Sequence, residues 1–540
     1  MWREVLGREG LSADDNFFAV GGDSIAVIRV VSLAAEAGMT FTARDVFAHQ
    51  SVRELVAAVG AARTPRVTAT PTAPEPPRAA AGHRLPETAQ LGIDGAGRAR
   101  LLADLVDAER VEAAGPFQRW GLDRLRHHPR PGLFQTYEAF DLSGADVDVD
   151  LLILAWSALV AHHPALRTSL RTHGGQDLQV VHRDATLRVH RQNLSGLGVA
   201  EAAREFGRYL TTLGSAPADP ELRCQVGLSV FDRGAGAAYL AWNWSYLALD
   251  GWSFPLLLAD LLALHDGFRA GTPVPLPERP APALMARWWQ ERDLTAARSF
   301  WTGRLTGGPK GLVGMDRVGH DRHVDQRVWL PADRTASLLR RAARAGLTLH
   351  TLVQGAYAIA LGRTLGADDV LFATVVSGRA DAVAGAESVV GCLFNRLPVR
   401  IALDPAADCA DWLRAVQTDH AEAAAYAHVS PLDVQRWCGP PDGGPLYDSE
   451  IVVENFPFDG RLQSRIADWR PVGNAALGDE ALRLTVWPDP ALLLKVGYYR
   501  DLVSDERAVG LLRRTARVLD TLADGMRRPV ADLLAAAGEA

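Results

Sequence analysis

Between Ala61 and Pro86 the chain carries Pro71, Pro74, Pro76 and Pro77 among alanines and threonines, with no apolar period. Proline lacks a backbone N–H and fixes φ, so such a stretch enters neither a helix interior nor a central strand. It predicts an extended, semi-rigid linker, set at residues 63–94. A chain so divided cannot bury one common core: its 540 residues separate into a short unit, 1–62, and a long remainder. At about 100–200 residues per domain, the whole chain suggests three or four structural units.

The short unit reads as helical. Gly21 and Gly22 permit a sharp turn before a helix that starts at Ser24, with Ile25, Ile28 and Val31 inward and Gly38 near its end. Ser51 and Glu54 have the spacing of a capping box for a last helix with Leu55, Val56 and Val59 inward. A serine in the first turn of a helix is commonly an N-cap. It also places a hydroxyl near the positive end of the helix dipole, which suits a phosphodiester.

Gly21-Gly22-Asp23-Ser24-Ile25, flanked by Asn16-Phe17-Phe18, resembles the signature of a peptidyl carrier protein. The resemblance implies an all-α bundle whose Ser24 bears 4′-phosphopantetheine, installed by a separate phosphopantetheinyl transferase. The arm would hold an acyl or peptidyl chain as a thioester. Tethering by the linker would give this unit a high effective concentration at sites on its neighbour.

The remainder alternates helices and strands. Asp150 to His163 reads as a buried helix, 222–232 and 237–246 as adjacent strands, and Ser253 to Phe268 as a helix after an Asp250-Gly251 turn. Leu240, Trp242, Trp244 and Tyr246 alternate, predicting one aromatic face ending at Tyr246. Further helices are expected at 283–305, 348–364 and 506–523, with strands at 322–330, 369–379, 447–457 and 482–499.

Gly115-Pro-Phe-Gln-Arg-Trp120, His162-His-Pro-Ala-Leu-Arg-Thr168 and Val390-Gly-Cys-Leu-Phe-Asn-Arg-Leu-Pro-Val-Arg400 are similar to motifs of the condensation domains of nonribosomal peptide synthetases. So is Trp244-Ser-Tyr-Leu-Ala-Leu-Asp-Gly-Trp-Ser253, which resembles the central HHxxxDG motif with Ser245 and Tyr246 in place of both histidines. The resemblance implies an α/β domain of two lobes, residues 95–285 and 286–535, each like chloramphenicol acetyltransferase, arranged as a V around a tunnel that admits a donor and an acceptor arm. It further implies an ion pair between Asp250 and Arg167 that holds the turn. His162 and His163 read as helix-end residues rather than as the missing pair. The ending Asn395 to Arg400 is of the condensing rather than the epimerizing type.

Amide formation from a thioester needs two aligned arms, a route for a proton and stabilisation of an oxyanion. Tyr246, with an unperturbed pKa near about 10, is a poor base but can donate to a carbonyl; Ser245 can assist or pack. Three readings stay open: condensation through a modified centre, a catalytically silent platform that presents the carrier-bound chain to a tailoring oxygenase, and another reaction, such as cyclisation, in the same tunnel. Implied partners are an adenylation domain that loads the carrier and a downstream acceptor carrier. Residues 528–534 resemble the linker toward an adenylation domain, so the chain reads as a segment of a larger synthetase.

Composition narrows the class. Hydrophobic residues at 48%, charged residues at 22% and a net charge of −7 describe a globular protein without a phosphate-neutralising surface, so nucleic acid is not an expected partner. No apolar run reaches membrane-spanning length and no signal peptide opens the chain, which favours a cytoplasmic site. Cys224, Cys392, Cys409 and Cys438 lack paired spacing, so reduced thiols and no metal site are expected.

Overall fold

The computed structural model describes residues 1–61, 105 and 107–538, apart from 23, 38, 40, 235, 310, 313–322, 380–382, 441–443, 455–459 and 489. Most of the expected linker, Gly38 and the side chains of Ile25, Ile28 and Val59 lie outside the described residues.

Four helices, Trp2–Leu6, Ser24–Glu36, Ala43–Ala48 and Val52–Ala61, form the first unit. Phe17, Phe18, Val27, Val30, Val31, Val46 and Leu55 make its core. The Ser51 and Glu54 capping box is present in both directions, at 3.3 and 3.2 Å. Val56, expected inward, is 64% exposed, because Leu55 takes the buried face of the last helix. The unit touches the rest of the chain through Gln50, whose amide bonds the Gly346 carbonyl at 3.1 Å and accepts from Asn16 at 2.7 Å.

The remainder holds fourteen described strands: β1 (Ala108–Ala113), β2 (Gln135–Asp141), β3 (Thr168–His173), β4 (Gln176–His182), β5 (Arg188–Asn193), β6 (Val226–Gly234), β7 (Ala237–Ser245), β8 (His323–Leu330), β9 (Asp369–Val376), β10 (Asn395–Ala402), β11 (Ser449–Val453), β12 (Arg470–Ala476), β13 (Leu482–Trp487) and β14 (Leu492–Tyr499). They build a small sheet β1-β4-β3, a first-lobe sheet β12-β2-β7-β6-β5 and a second-lobe sheet β10-β9-β11-β13-β14-β8.

Alternation along the first-lobe strands fills two layers. Phe140, Leu228, Val230, Leu240, Trp242 and Trp244 meet the Val149–His162 and Ser253–Ala270 helices, while Ala139, Phe231, Tyr239 and Ala241 meet Val199–Gly214. In the second lobe, Val370, Phe372, Leu484, Val486, Leu494 and Val496 pack against the Leu349–Leu365 and Asp505–Asp524 helices. A final helix, Val530–Gly538, buries Val530, Leu533 and Ala537 in the same core. The expected helix over 283–305 is two, Ala283–Gln290 and Leu294–Leu305, because Asp293 caps the second by accepting from Thr295 N at 2.7 Å.

β12 comes from the stretch expected for the second lobe but pairs antiparallel with β2 in the first, Asn474 opposite Glu138 and Ala476 opposite Thr136. The late chain thus carries residues of both lobes to one side of the turn that follows β7.

Candidate functional site between the lobes

β7 ends at Ser245, and the chain turns through Tyr246 and Asp250 into the Ser253–Ala270 helix. Three neighbours shape the turn. Gln118, from the Pro116–His127 helix, donates to the Leu247 carbonyl at 2.8 Å. Ser245 N–H donates to the Gln225 carbonyl at 3.3 Å, and Tyr246 N–H to the Phe134 carbonyl at 2.9 Å. Phe134 has φ 60, a left-handed conformation that costs a non-glycine residue of order 1–3 kcal/mol and is tolerated where the surroundings over-determine it. That strained residue's carbonyl is what pins Tyr246.

The far end of the turn is closed by charge. Arg379 binds the Asp250 carboxylate in a fork, at 2.7 and 3.2 Å, with the two side chains 0% and 3% exposed. Asp250 also accepts from Ser253 N, Ser253 Oγ and Leu393 N at 3.0, 2.8 and 3.0 Å. Ser253 Oγ and Gly391 exchange bonds at 3.0 Å, and the Gly251 carbonyl accepts from Phe254 N at 3.3 Å. A carboxylate so saturated holds the turn and has no lone pair left for proton transfer.

The expected partner of Asp250 is corrected by this geometry. Arg167 lies in the turn before β3, where it bonds Glu109 at 2.9 Å and the carbonyls of His182 and Arg183. Arg379, on the loop after β9, escapes sequence reasoning because its distance along the chain from Asp250 carries no spacing signal. His163 also has a structural partner: it meets Asp260 at 3.1 Å, and Arg279 holds the other side of that carboxylate.

Tyr246 does not continue the aromatic face either. Trp242 and Trp244 pack on Phe254, whereas Tyr246, one residue beyond the strand, joins Phe117, Phe134, Leu247 and Phe394. Ser245 is buried, and its hydroxyl accepts from Leu247 N at 3.2 Å, so it serves the turn itself. Burial pushes the Tyr246 phenol up to about 12, against the pull of the Arg483 guanidinium, whose carbon lies 6.0 Å from the ring centre. At neutral pH the phenol keeps its proton. It can donate to an oxygen and cannot serve as a base.

In the first unit Ser24 opens its helix. Gly21 has φ 105, and a Cβ at Gly22 would run into the Phe17 ring, so the turn before the serine requires glycine at both positions. This tight turn, exposed at Gly21, fits the attachment of a phosphodiester-linked arm. Among the described residues no group of three or more His, Cys, Asp or Glu could hold a metal ion, and no helix is long and apolar enough to cross a membrane.

Residues 1–59 match the phosphopantetheine attachment site model and residues 116–538 the condensation domain model. The chain is 28% identical over 427 residues to a linear gramicidin synthase of Brevibacillus parabrevis, covering 77% of this chain and 5% of that protein. It is 33% identical over 436 residues to the AMB antimetabolite synthetase AmbE of Pseudomonas aeruginosa, covering 77% and 19%. It therefore spans under a fifth of the length of these relatives. Among solved structures, the first condensation domain of the calcium-dependent antibiotic synthetase, in complex with a substrate analogue, matches with TM-score 0.63 and 21% identity over 79% of this chain and 99% of that one. The X-domain from teicoplanin biosynthesis matches with TM-score 0.62 and 20% identity over 78% and 96%. With the glycine-led serine at one end and the Asp250-anchored turn between two lobes at the other, the chain belongs to the condensation-domain family, joined to a phosphopantetheine-bearing carrier domain as in nonribosomal peptide synthetases.

Proposed function

We propose that this chain forms an amide by transferring the acyl group held at Ser24 to an amine, through a centre in which Tyr246 donates a hydrogen bond where the family motif has histidine. When bound, the phosphopantetheine arm supplies the terminal thiol that carries the acyl group. The amine nitrogen bonds to the acyl carbon, the carbon–sulfur bond breaks, and the proton lost by the amine balances the departing sulfur, so no further reactant is needed. What the condensation domain must supply is alignment and a donor for the developing oxyanion.

Alignment of two reactants is worth effective molarities of about 10⁵–10⁸ M, whereas a lost general base costs about 10²–10⁴-fold. A centre without histidine therefore retains most of what drives the reaction. One observation carries this reading: the turn is held at Asp250 by Arg379, Ser253 and Leu393, while the Tyr246 phenol, beside Arg483 of the second lobe, keeps its proton. The partners this function calls for are a phosphopantetheinyl transferase, an adenylation domain and an acceptor carrier.

The test is intact-protein mass spectrometry of the chain acyl-loaded on Ser24, with a free or carrier-bound amine added. Loss of the acyl mass together with appearance of the amide, faster than from the isolated carrier, is expected. No transfer above that background for any amine would reject condensation in favour of a silent platform that presents the carrier-bound chain to a tailoring enzyme. A change of acyl mass without any amine would instead favour intramolecular chemistry such as cyclisation.

A further inference from the structure

Facing Tyr246 from the second lobe is an arrangement of charge that the turn itself does not require. Arg396 on β10 forms ion pairs with Glu450 and Glu480 at 2.7 and 2.8 Å, and Arg483 on β13 with the same two carboxylates at 2.5 and 2.7 Å. Two guanidiniums and two carboxylates thus close a buried ring. Asp479 joins it through Arg396, and Arg124 reaches Asp479 from the first lobe at 3.2 Å. Gly478 makes room for the ring: a Cβ there would strike both the Glu480 carboxylate and the Arg483 guanidinium. Burying four charges is expensive, and apolar residues of similar volume often serve stability as well or better. Such a ring is more economically explained by what it positions.

What it positions is the Arg483 guanidinium. With Nε and Nη2 taken by the ring and Nη1 donating to the Ala476 carbonyl at 3.2 Å, Arg483 has no freedom to turn away from the phenol. Its 6.0 Å separation from the ring centre is at the outer edge of a cation–π contact. Three other groups act on the phenol: Thr136 on β2, Glu138 on the same strand, and Glu454 after β11. Both carboxyls oppose ionisation of the phenol, and Arg483 favours it.

We propose that Arg483 is a positioning residue for the altered centre: fixed by the Glu450–Arg396–Glu480 ring, it holds the Tyr246 ring and polarises its hydroxyl toward the thioester oxygen. The inference rests on the condensation reading above. Arg483 acts through Tyr246 and does not touch the reacting atoms.

The test places a difluorinated tyrosine at position 246 of the full chain, so that the phenol ionises in a range the fold tolerates, and follows it by fluorine NMR against pH. Removing the cation in Arg483→Gln is expected to raise the midpoint by about 1 unit, the lower range for a neighbouring opposite charge. Arg483→Lys, whose ammonium cannot make all three contacts, is expected to raise it by less. Near-UV circular dichroism identifies variants that keep the fold. In the natural tyrosine background, Arg483→Gln should slow acyl transfer by about tenfold without changing the acceptor KM, the signature of an interaction made only in the transition state. An unchanged midpoint in both folded variants, or in Arg483→Lys where Arg483→Gln does not fold, overturns the proposal. A shifted midpoint in a chain that transfers nothing even with Arg483 intact overturns the condensation reading and leaves the Arg483–Tyr246 coupling standing.

Discussion

Asp250 accepts five hydrogen bonds from three residues and is sealed by Arg379, whereas Tyr246, earlier in the same turn, is fixed through its backbone, with its ring beside Arg483 of the other lobe and its hydroxyl beside Thr136 of its own. The comparison separates two jobs that one short motif combines. The Asp-Gly end is architecture, and any chain that keeps the two-lobed arrangement has reason to keep it. The Ser245-Tyr246 end can change its chemistry without disturbing the turn, because Ser245 only satisfies Leu247 N and Tyr246 is pinned by a main-chain bond.

The first way to break that comparison is Arg379→Ala. It leaves a carboxylate buried without its partner and is expected to cost about 3–5 kcal/mol, read from urea unfolding of the condensation lobes. Arg167→Ala sharpens the point. It removes bonds to two carbonyls and to the more exposed Glu109, so a smaller loss of about 1–3 kcal/mol is expected. Equal losses, or a larger one at Arg167, would return Asp250 to the partner expected from the sequence.

Next in size is a pH effect on β2, the strand beside β7. Burial and the nearby Glu454 carboxylate push Glu138 up to about 8. Its folded pKa is raised, so the folded chain holds a proton there that the unfolded chain gives up. The stability this contributes is complete below the ordinary carboxyl range and is lost as pH rises through about 8. Glu138→Gln should flatten that fall, raising Tm at pH 8 by at least about 2 °C and leaving it nearly unchanged at pH 5. A parallel shift at both values would contradict the assignment. Smallest is Ser245→Ala, which removes one neutral acceptor for Leu247 N; about 0.5 kcal/mol is expected, with transfer unaffected. A large loss of transfer would make Ser245 part of the chemistry.

Local signals in the chain are legible. The Ser51 and Glu54 box, the Ser253–Ala270 helix and the alternation of β7 follow from patterns within a few residues. Signals fail where the partner is distant or a strand stops. Asp250 pairs with a residue on the loop after β9, and β12 crosses to the first-lobe sheet; neither follows from spacing. Tyr246 reads as the end of an aromatic stripe because alternation does not say where a strand ends, and this one ends at Ser245. Arg483 is visible in principle, as a charge set among Leu482, Leu484 and Val486 with Asp479 and Glu480 just before it. A cation inside a buried strand asks for a counter-charge, and two carboxylates stand nearby.

The central claim is that the phenol of Tyr246 donates and does not accept. It is tested most directly by single-turnover acyl transfer from the loaded carrier, comparing Tyr246→Phe with the natural residue from pH 6 to 9. The account predicts a loss of about 10²–10³-fold, the size of removing one oxyanion donor, by the same factor at every pH, because the phenol stays protonated throughout. A ratio that grows with pH would mean that Tyr246 acts as a base, and a ratio near one would mean that it only fills space.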